Sequence, residues 1–96
     1  MFVVISYDVS VTDTDGKRRL RKVAKLCQNY GFRVQNSVFE CNVDPAQWVT
    51  LKNQLLRYYD PAHDSLRFYN LGSHYENKVE HYGKEKSLNA EEAMIL

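Results

Sequence analysis

Tyr7 and Asp8 follow directly on an apolar run, within the stretch VVISYDVS at 3–10. A carboxylate at the end of a core strand has two readings. It is a turn residue, a common task for Asp, or it is a reactive group held on a rigid mount. A second set of capable side chains lies downstream. Of the 13 Lys and Arg residues, seven fall from Lys17 to Arg33, with no Asp or Glu among them. A solvated helix face usually mixes signs, whereas an unbalanced cationic run is what a phosphate backbone responds to. The net charge of +1 conceals this patch. Arg18 and Arg19 fall in the first turn of the helix that carries it, where the helix dipole disfavours cations. That local cost favours a binding role, so phosphate contact is expected of Arg18, Arg19, Lys22 and Arg33. Tyr7 reads equally as a phosphate-orienting group or as packing.

The remaining reactive types carry less. Ser37 has no histidine at a telling spacing to activate it as a nucleophile and reads as a turn residue. His63, His74 and His81 lack metal-ligand spacing and read as surface residues. Cys27 falls on the apolar face of a helix. Cys41 alternates with Phe39 and Val43, and the default for Phe39 is core or dimer packing. Both cysteines behave as small hydrophobes, not as a metal-type pair, and their thiols are expected free in a reducing cytoplasm. The apolar run at 2–5 is far too short for a signal peptide or a membrane span.

These residues need elements to position them. Ninety-six residues with 44% hydrophobic types make one domain. Residues 2–9 read as a first strand, with Phe2, Val4, Ser6 and Asp8 on one face and Val3, Ile5, Tyr7 and Val9 on the other. TDTDGK at 12–17 is a helix-start signal, with Thr14 or Asp15 as the cap. The helix runs to about Tyr30, with Leu20, Val23, Ala24 and Cys27 on its core face and Gly31 as a left-handed cap. FRVQNSVFECNV at 32–43 changes parity at Asn36-Ser37, which marks a tight hairpin or bulge. Asp44-Pro45 supplies a cap and a first-turn proline. A second helix follows, with Trp48, Leu51, Leu55 and Tyr58 on one face, ending near Asp60-Pro61. SLRFYNLG at 65–72 is strand four and NKVEHYG at 77–83 a short fifth strand. Residues 1–83 form the domain, and 84–96 a polar C-terminal tail.

The order βαββαβ plus a short strand is an α+β, ferredoxin-like arrangement, one antiparallel sheet with both helices on one face. Strand one is apolar on both faces over its first half, and the helices cover only one. A second copy of the chain is the simplest cover, giving a homodimer with sheets stacked face to face. RNA-recognition modules share this order, but VQNSVFEC lacks the glycines and the second exposed aromatic of their signature.

The stretches VVISYDVS, KRRLRKVAKLCQNYG, RVQNSVFEC and LRFYNLG together resemble the CRISPR-associated Cas2 family, from residue 1 to about 83. The basic first helix and KVEHYG are most similar to the subtype I-C versions. The resemblance implies a homodimer of bacterial immunity that works beside the Cas1 integrase in spacer acquisition, binding duplex DNA. It also implies a metal-dependent endonuclease on double-stranded DNA or single-stranded RNA. The alternative it carries is a non-catalytic DNA-holding and bridging subunit of the Cas1–Cas2 complex. By resemblance, Asp8 matches the family's strand-end aspartate, with Tyr7 beside it. Arg18 and Arg19 match early-helix arginines, and Arg33, Ser37 and Phe39 match the hairpin motif. In a stacked dimer two Asp8 carboxylates approach across the axis and resist joint ionisation. A divalent cation, Mg2+ or Mn2+, relieves that conflict and prefers oxygen ligands. Asp8 is thus the expected catalytic residue and metal ligand.

Overall fold

The computed structural model describes residues 1–10 and 14–84. Its element order is β1 (Phe2–Asp8), α1 (Thr14–Gln28), β2 (Gly31–Gln35), β3 (Val38–Asn42), α2 (Pro45–Tyr58) and β4 (Ser65–Gly72). The four strands form one antiparallel sheet in the order β2-β3-β1-β4, so β1 is central.

Alternation along β1 sets the two layers. Val3, Ile5 and Tyr7 are buried and join Phe39 and Cys41 of β3 in the core. Val23, Ala24 and Cys27 of α1 and Leu51 and Leu55 of α2 complete that core from above. The register agrees, since Val3 pairs with Cys41 and Ile5 with Phe39, so these side chains share a face. Phe68 of β4 meets Trp48 of α2 edge to face at 4.9 Å, which puts Phe68 on the helix side and Arg67 and Tyr69 on the other.

The second helix begins where local chemistry dictates. The Asp44 side chain accepts from the Gln47 amide at 2.7 Å, and the Gln47 side chain accepts from the Asp44 amide at 3.0 Å. Pro45 fills the first turn, where its missing N–H costs nothing.

Several expectations change. Helix α1 stops at Gln28, and the Tyr30 amide closes a tight turn on the Cys27 carbonyl at 3.0 Å. Gly31 is the first residue of β2 and does not take the left-handed conformation. What requires glycine there is proximity: a Cβ on Gly31 would lie 1.9 Å from the Glu40 carbonyl oxygen of β3. Thr14 and Asp15 are the first two helical residues, so neither precedes the helix, and the cap position at 13 lies outside the described residues. The hairpin at Asn36-Ser37 forms as expected, with a register shift between Arg33 and Gln35.

No fifth strand forms among the described residues; Tyr75–Lys78 is a turn instead. The segment after β4 returns over the open face of the sheet, where Tyr75 stacks on Phe2 with ring centroids 4.2 Å apart. The helix-free face is therefore partly covered by the chain itself. The tail from 85 onward lies outside the described residues. No helix among the described residues is long and apolar enough to cross a membrane.

Candidate functional site

The strand alternation that buries Tyr7 turns Asp8 to the opposite, open face of the sheet, where it is exposed. Asp8 pairs with Ser65 across β4, so its backbone is held at a sheet position, not in a loop. Pairing with β3 ends just before it: Ser6 faces Val38, and the Tyr7 amide donates to the Ser37 carbonyl at 2.9 Å. Ser37 thus does its work through the turn backbone. Asp8 makes no ion pair among the described residues. Along the same face of β4 lie Arg67, opposite Ser6, and Tyr69, opposite Val4, both exposed. Arg67 donates to the Tyr69 hydroxyl at 3.2 Å. Sequence reasoning missed Arg67, since only the register of β4 on β1 puts it on the face of Asp8.

The residue that organises this end of the molecule is Asp64, which sequence reasoning also missed. Its side chain is fully shielded from solvent. The Arg19 guanidinium grips it through two bonds, Nε to Oδ2 at 2.8 Å and Nη2 to Oδ1 at 3.1 Å. The Tyr7 hydroxyl donates to the same carboxylate. The amides of Asp60 at 2.9 Å and Ser10 at 3.4 Å complete the set. The loop aims Asp64 by its own bonds: the Asp64 amide donates to the Asp60 carbonyl at 2.7 Å, and the Ala62 amide to the Asp60 carboxylate at 2.9 Å. Burial alone would push the Asp64 carboxyl up. The donors outweigh it, Arg19 first and then Tyr7, and hold it down at about 2. Burial and the neighbouring carboxylate push the Tyr7 hydroxyl far up, so it stays a proton donor at any ordinary pH.

Two of the residues expected at a phosphate are engaged in this cluster instead. Tyr7 is wholly buried with its hydroxyl committed to Asp64, so its side chain does not reach the surface. Arg19 turns inward to Asp64, and only 18% of its side chain remains exposed. Adjacent helical residues are rotated by about 100°, and this separates Arg19 from its neighbour Arg18, which stays outside in a long, exposed 3.8 Å pair with Asp15.

The other cations do gather. Arg18, Arg21, Lys22, Lys25 and Arg33 line an open groove of about 640 Å3 with Tyr58. The Lys22 ammonium lies 5.1 Å from the Tyr58 ring centre, and the Arg33 guanidinium 5.3 Å from that of Phe39. Phe39 is itself a core residue. Arg33 pairs with Phe39 in register and so belongs to the helix side of the sheet, while Asp8 belongs to the open side. The structure therefore does not bring the cationic groove and the carboxylate into one cluster. The groove and Asp8 lie on opposite faces of the sheet.

No group of three metal-ligating side chains occurs among the described residues. Asp8 offers a hard oxygen donor that suits Mg2+ or Mn2+, but a single carboxylate fits only part of such a site. The rest must come from water or from a second chain. The thiols offer nothing here: Cys27 and Cys41 are buried, and the Cys41 thiol donates to the Cys27 carbonyl at 3.4 Å.

Residues 1–79 match the family described as CRISPR associated protein Cas2. The chain is 56% identical over 96 residues to the CRISPR-associated endoribonuclease Cas2 of Chlorobaculum tepidum, with 100% of both chains covered. It is 54% identical over 96 residues to the CRISPR-associated endonuclease Cas2 of Halalkalibacterium halodurans, again with 100% of both covered. Among solved structures it is similar to Streptococcus pyogenes Cas2, crystallised at pH 6.5, with 51% identity and a TM-score of 0.78. That alignment covers 86% of this chain and 100% of the other. A protein called TT1823 from Thermus thermophilus aligns with 32% identity and a TM-score of 0.69, covering 90% of this chain and 94% of that one.

Proposed function

The chain belongs to the CRISPR associated protein Cas2 family, and we propose that it is a metal-dependent endonuclease of CRISPR spacer acquisition, hydrolysing phosphodiesters with Asp8 of each of two protomers. The observation that carries this reading is Asp8 itself. It is an exposed carboxylate, mounted on the central strand at a paired position and without an ion pair among the described residues. The names of the relatives, endoribonuclease and endonuclease, supply the reaction class. The basic first helix and KVEHYG favour subtype I-C.

A single chain provides one carboxylate. Stacking two chains on their open faces would bring in the second, and two like charges close together resist joint ionisation. A divalent cation between them, Mg2+ or Mn2+, would neutralise that repulsion and supply the means to activate water or polarise a phosphoryl oxygen. The chain's own contribution is placement. Asp8 ligates from a strand end paired to β4, and Arg67, on the same face, meets the charge of an approaching phosphate.

A second activity rests on the basic groove. Its cations lie on the helix side and are independent of Asp8, which favours sequence-tolerant holding of duplex DNA beside the Cas1 integrase, whether or not a strand is cut. The deciding experiment compares purified wild type with Asp8→Asn on duplex DNA and on single-stranded RNA, with and without Mg2+ or Mn2+. Wild type should cleave only with the cation, and the variant should not cleave. Equal cleavage by both would remove Asp8 from the chemistry. If neither cleaves and both support spacer acquisition with Cas1, the holding function stands alone.

A further inference from the structure

The bonds of Asp64 converge on the residues either side of Asp8. Tyr7, one residue before it, donates its hydroxyl to Asp64, and Ser10, two residues after it, donates its amide at 3.4 Å. The cross-strand partner of Asp8 is Ser65, the residue that follows Asp64 in the chain. The β1–β3 ladder ends at Ser6 and Val38, with the Tyr7 amide bonded to the Ser37 carbonyl. Beyond that point the strand end is held on the β4 side by the Asp8–Ser65 pairing and by the Asp64 bonds to Tyr7 and Ser10. The Arg19 fork fixes the plane of the Asp64 carboxylate, because two parallel N–H bonds permit only one orientation. The Asp60 amide holds it from the loop.

From these contacts we infer that Asp64 is a positioning residue for Asp8: a buried carboxylate that clamps the chain before and after the candidate metal ligand and so fixes where the Asp8 carboxylate points. The inference rests on the reading of Asp8 as a metal ligand. It also gives Arg19 a different task from its neighbour Arg18. Arg19 holds the clamp and leaves phosphate contact to the groove. A ligand carboxylate must be held to within about half an ångström to bind a cation well, and partners one step behind a ligand commonly affect affinity by about 10–100-fold. Asp64 does not touch the cation site, so its removal should act through geometry alone.

The test is Mn2+ binding to the full chain, followed by electron paramagnetic resonance, for wild type, Asp8→Asn, Asp64→Asn and Tyr7→Phe. Each protein is first shown to be folded by far-ultraviolet circular dichroism, at a temperature well below its melting point. Wild type should bind Mn2+ and Asp8→Asn should bind far more weakly. Asp64→Asn, with Asp8 intact, should raise Kd for Mn2+ at least about fivefold, approaching the range expected for a group that supports a ligand from behind. A residue that only stabilised the fold would lower the melting temperature and leave Kd unchanged. A folded Asp64→Asn with wild-type Kd would overturn the inference. If Asp64→Asn does not fold, Tyr7→Phe decides, because it deletes one bond of the clamp and keeps the Arg19 pair. Its Kd should rise about twofold, a fraction of the effect of removing the whole clamp, and an unchanged value would overturn the inference. If wild type and Asp8→Asn bind Mn2+ alike, the ligand reading itself fails and takes the inference with it, and the Asp8→Asn arm shows which has failed.

Discussion

Tyr7 donates its hydroxyl to Asp64 from 57 residues away, joining the end of the central strand to the start of an edge strand beneath the first helix. The ring of Tyr7 belongs to the core, while its oxygen belongs to a charged cluster, so the residue seals the boundary between them. Removing only that oxygen isolates the bond. Tyr7→Phe keeps the packing and should destabilise the fold by about 1.5–3 kcal/mol, the usual range for a hydrogen bond to a charged acceptor. Urea unfolding followed by circular dichroism measures this. Any loss near zero would mean that water replaces the hydroxyl at Asp64.

The low pKa of Asp64 makes a pH prediction with a definite sign. The carboxyl titrates near its ordinary value when unfolded and at about 2 when folded. The folded state therefore prefers the ionised form, and its contribution is fully present above the unfolded pKa of about 4. It is lost as pH falls through the window from about 4 to 2. Melting temperatures measured across that window should fall more steeply for wild type than for Asp64→Asn, which has no carboxyl to protonate there. Parallel curves would show that other acids dominate the transition.

Asp64 also shows where sequence reasoning reached its limit. Its partners Tyr7 and Arg19 are 57 and 45 residues away, and no periodicity links them. Arg18 and Arg19 are the same residue type side by side, and only the phase of α1 against β1 sends one outward and the other inward. By contrast, the start of α2 was legible, because the Asp44 and Pro45 signals are adjacent in the chain; the reciprocal bond from Gln47 was not read. The core faces of β1 and β3 were legible for the same reason, as alternation is a local property. Gly31 looked like a helix cap from its place after the helix, and its close approach to β3, a strand further along the chain, decides its role instead. NKVEHYG has strand-like alternation, but within one chain it makes no strand among the described residues, and the turn before it packs Tyr75 on Phe2.

The division of labour between Arg18 and Arg19 is measurable. Arg18→Ala and Lys22→Ala should each weaken binding to duplex DNA and flatten the log–log salt dependence by about 0.9 for each phosphate the variant no longer engages. Arg19→Ala should leave that slope nearly unchanged and lower the melting temperature, since its guanidinium is committed to Asp64. Fluorescence titrations at several salt concentrations give the slopes. A flattened slope in Arg19→Ala with an unchanged melting temperature would return Arg19 to the phosphate-binding set.

Gly31→Ala tests the strand contact. The added Cβ would fall 1.9 Å from a backbone oxygen, and backbone cannot swing aside as a side chain can. Separating β2 from β3 there should cost about 1–3 kcal/mol or more, in the range of other forced insertions. It should also loosen Arg33, which β2 carries to the rim of the groove. Reduced denaturant stability together with weakened DNA binding is the expected pair of results. A variant as stable as wild type would mean that β2 shifts without resistance.

The open face of the sheet leads to the last prediction. Tyr75 covers the Phe2 end, but Val4 and Ser6 lie further along β1, flanked on β4 by exposed Arg67 and Tyr69, and among the described residues no helix layer covers the face there. In the proposed function this is where a second copy packs, and it is the arrangement that brings two Asp8 carboxylates together. Size-exclusion chromatography with light scattering at tens of micromolar should give the mass of a dimer. Val4→Arg places a charge on that face, opposite Glu40 and Tyr69, and leaves the helix-side core untouched. It should yield a folded monomer with near-normal circular dichroism. That monomer should lose any metal-dependent cleavage, because one carboxylate remains where two were needed. Its binding to duplex DNA through the groove should survive, weakened only by the missing avidity of the second copy. If the wild type is itself a monomer, the two-carboxylate site does not form, and the groove alone defines what the protein holds.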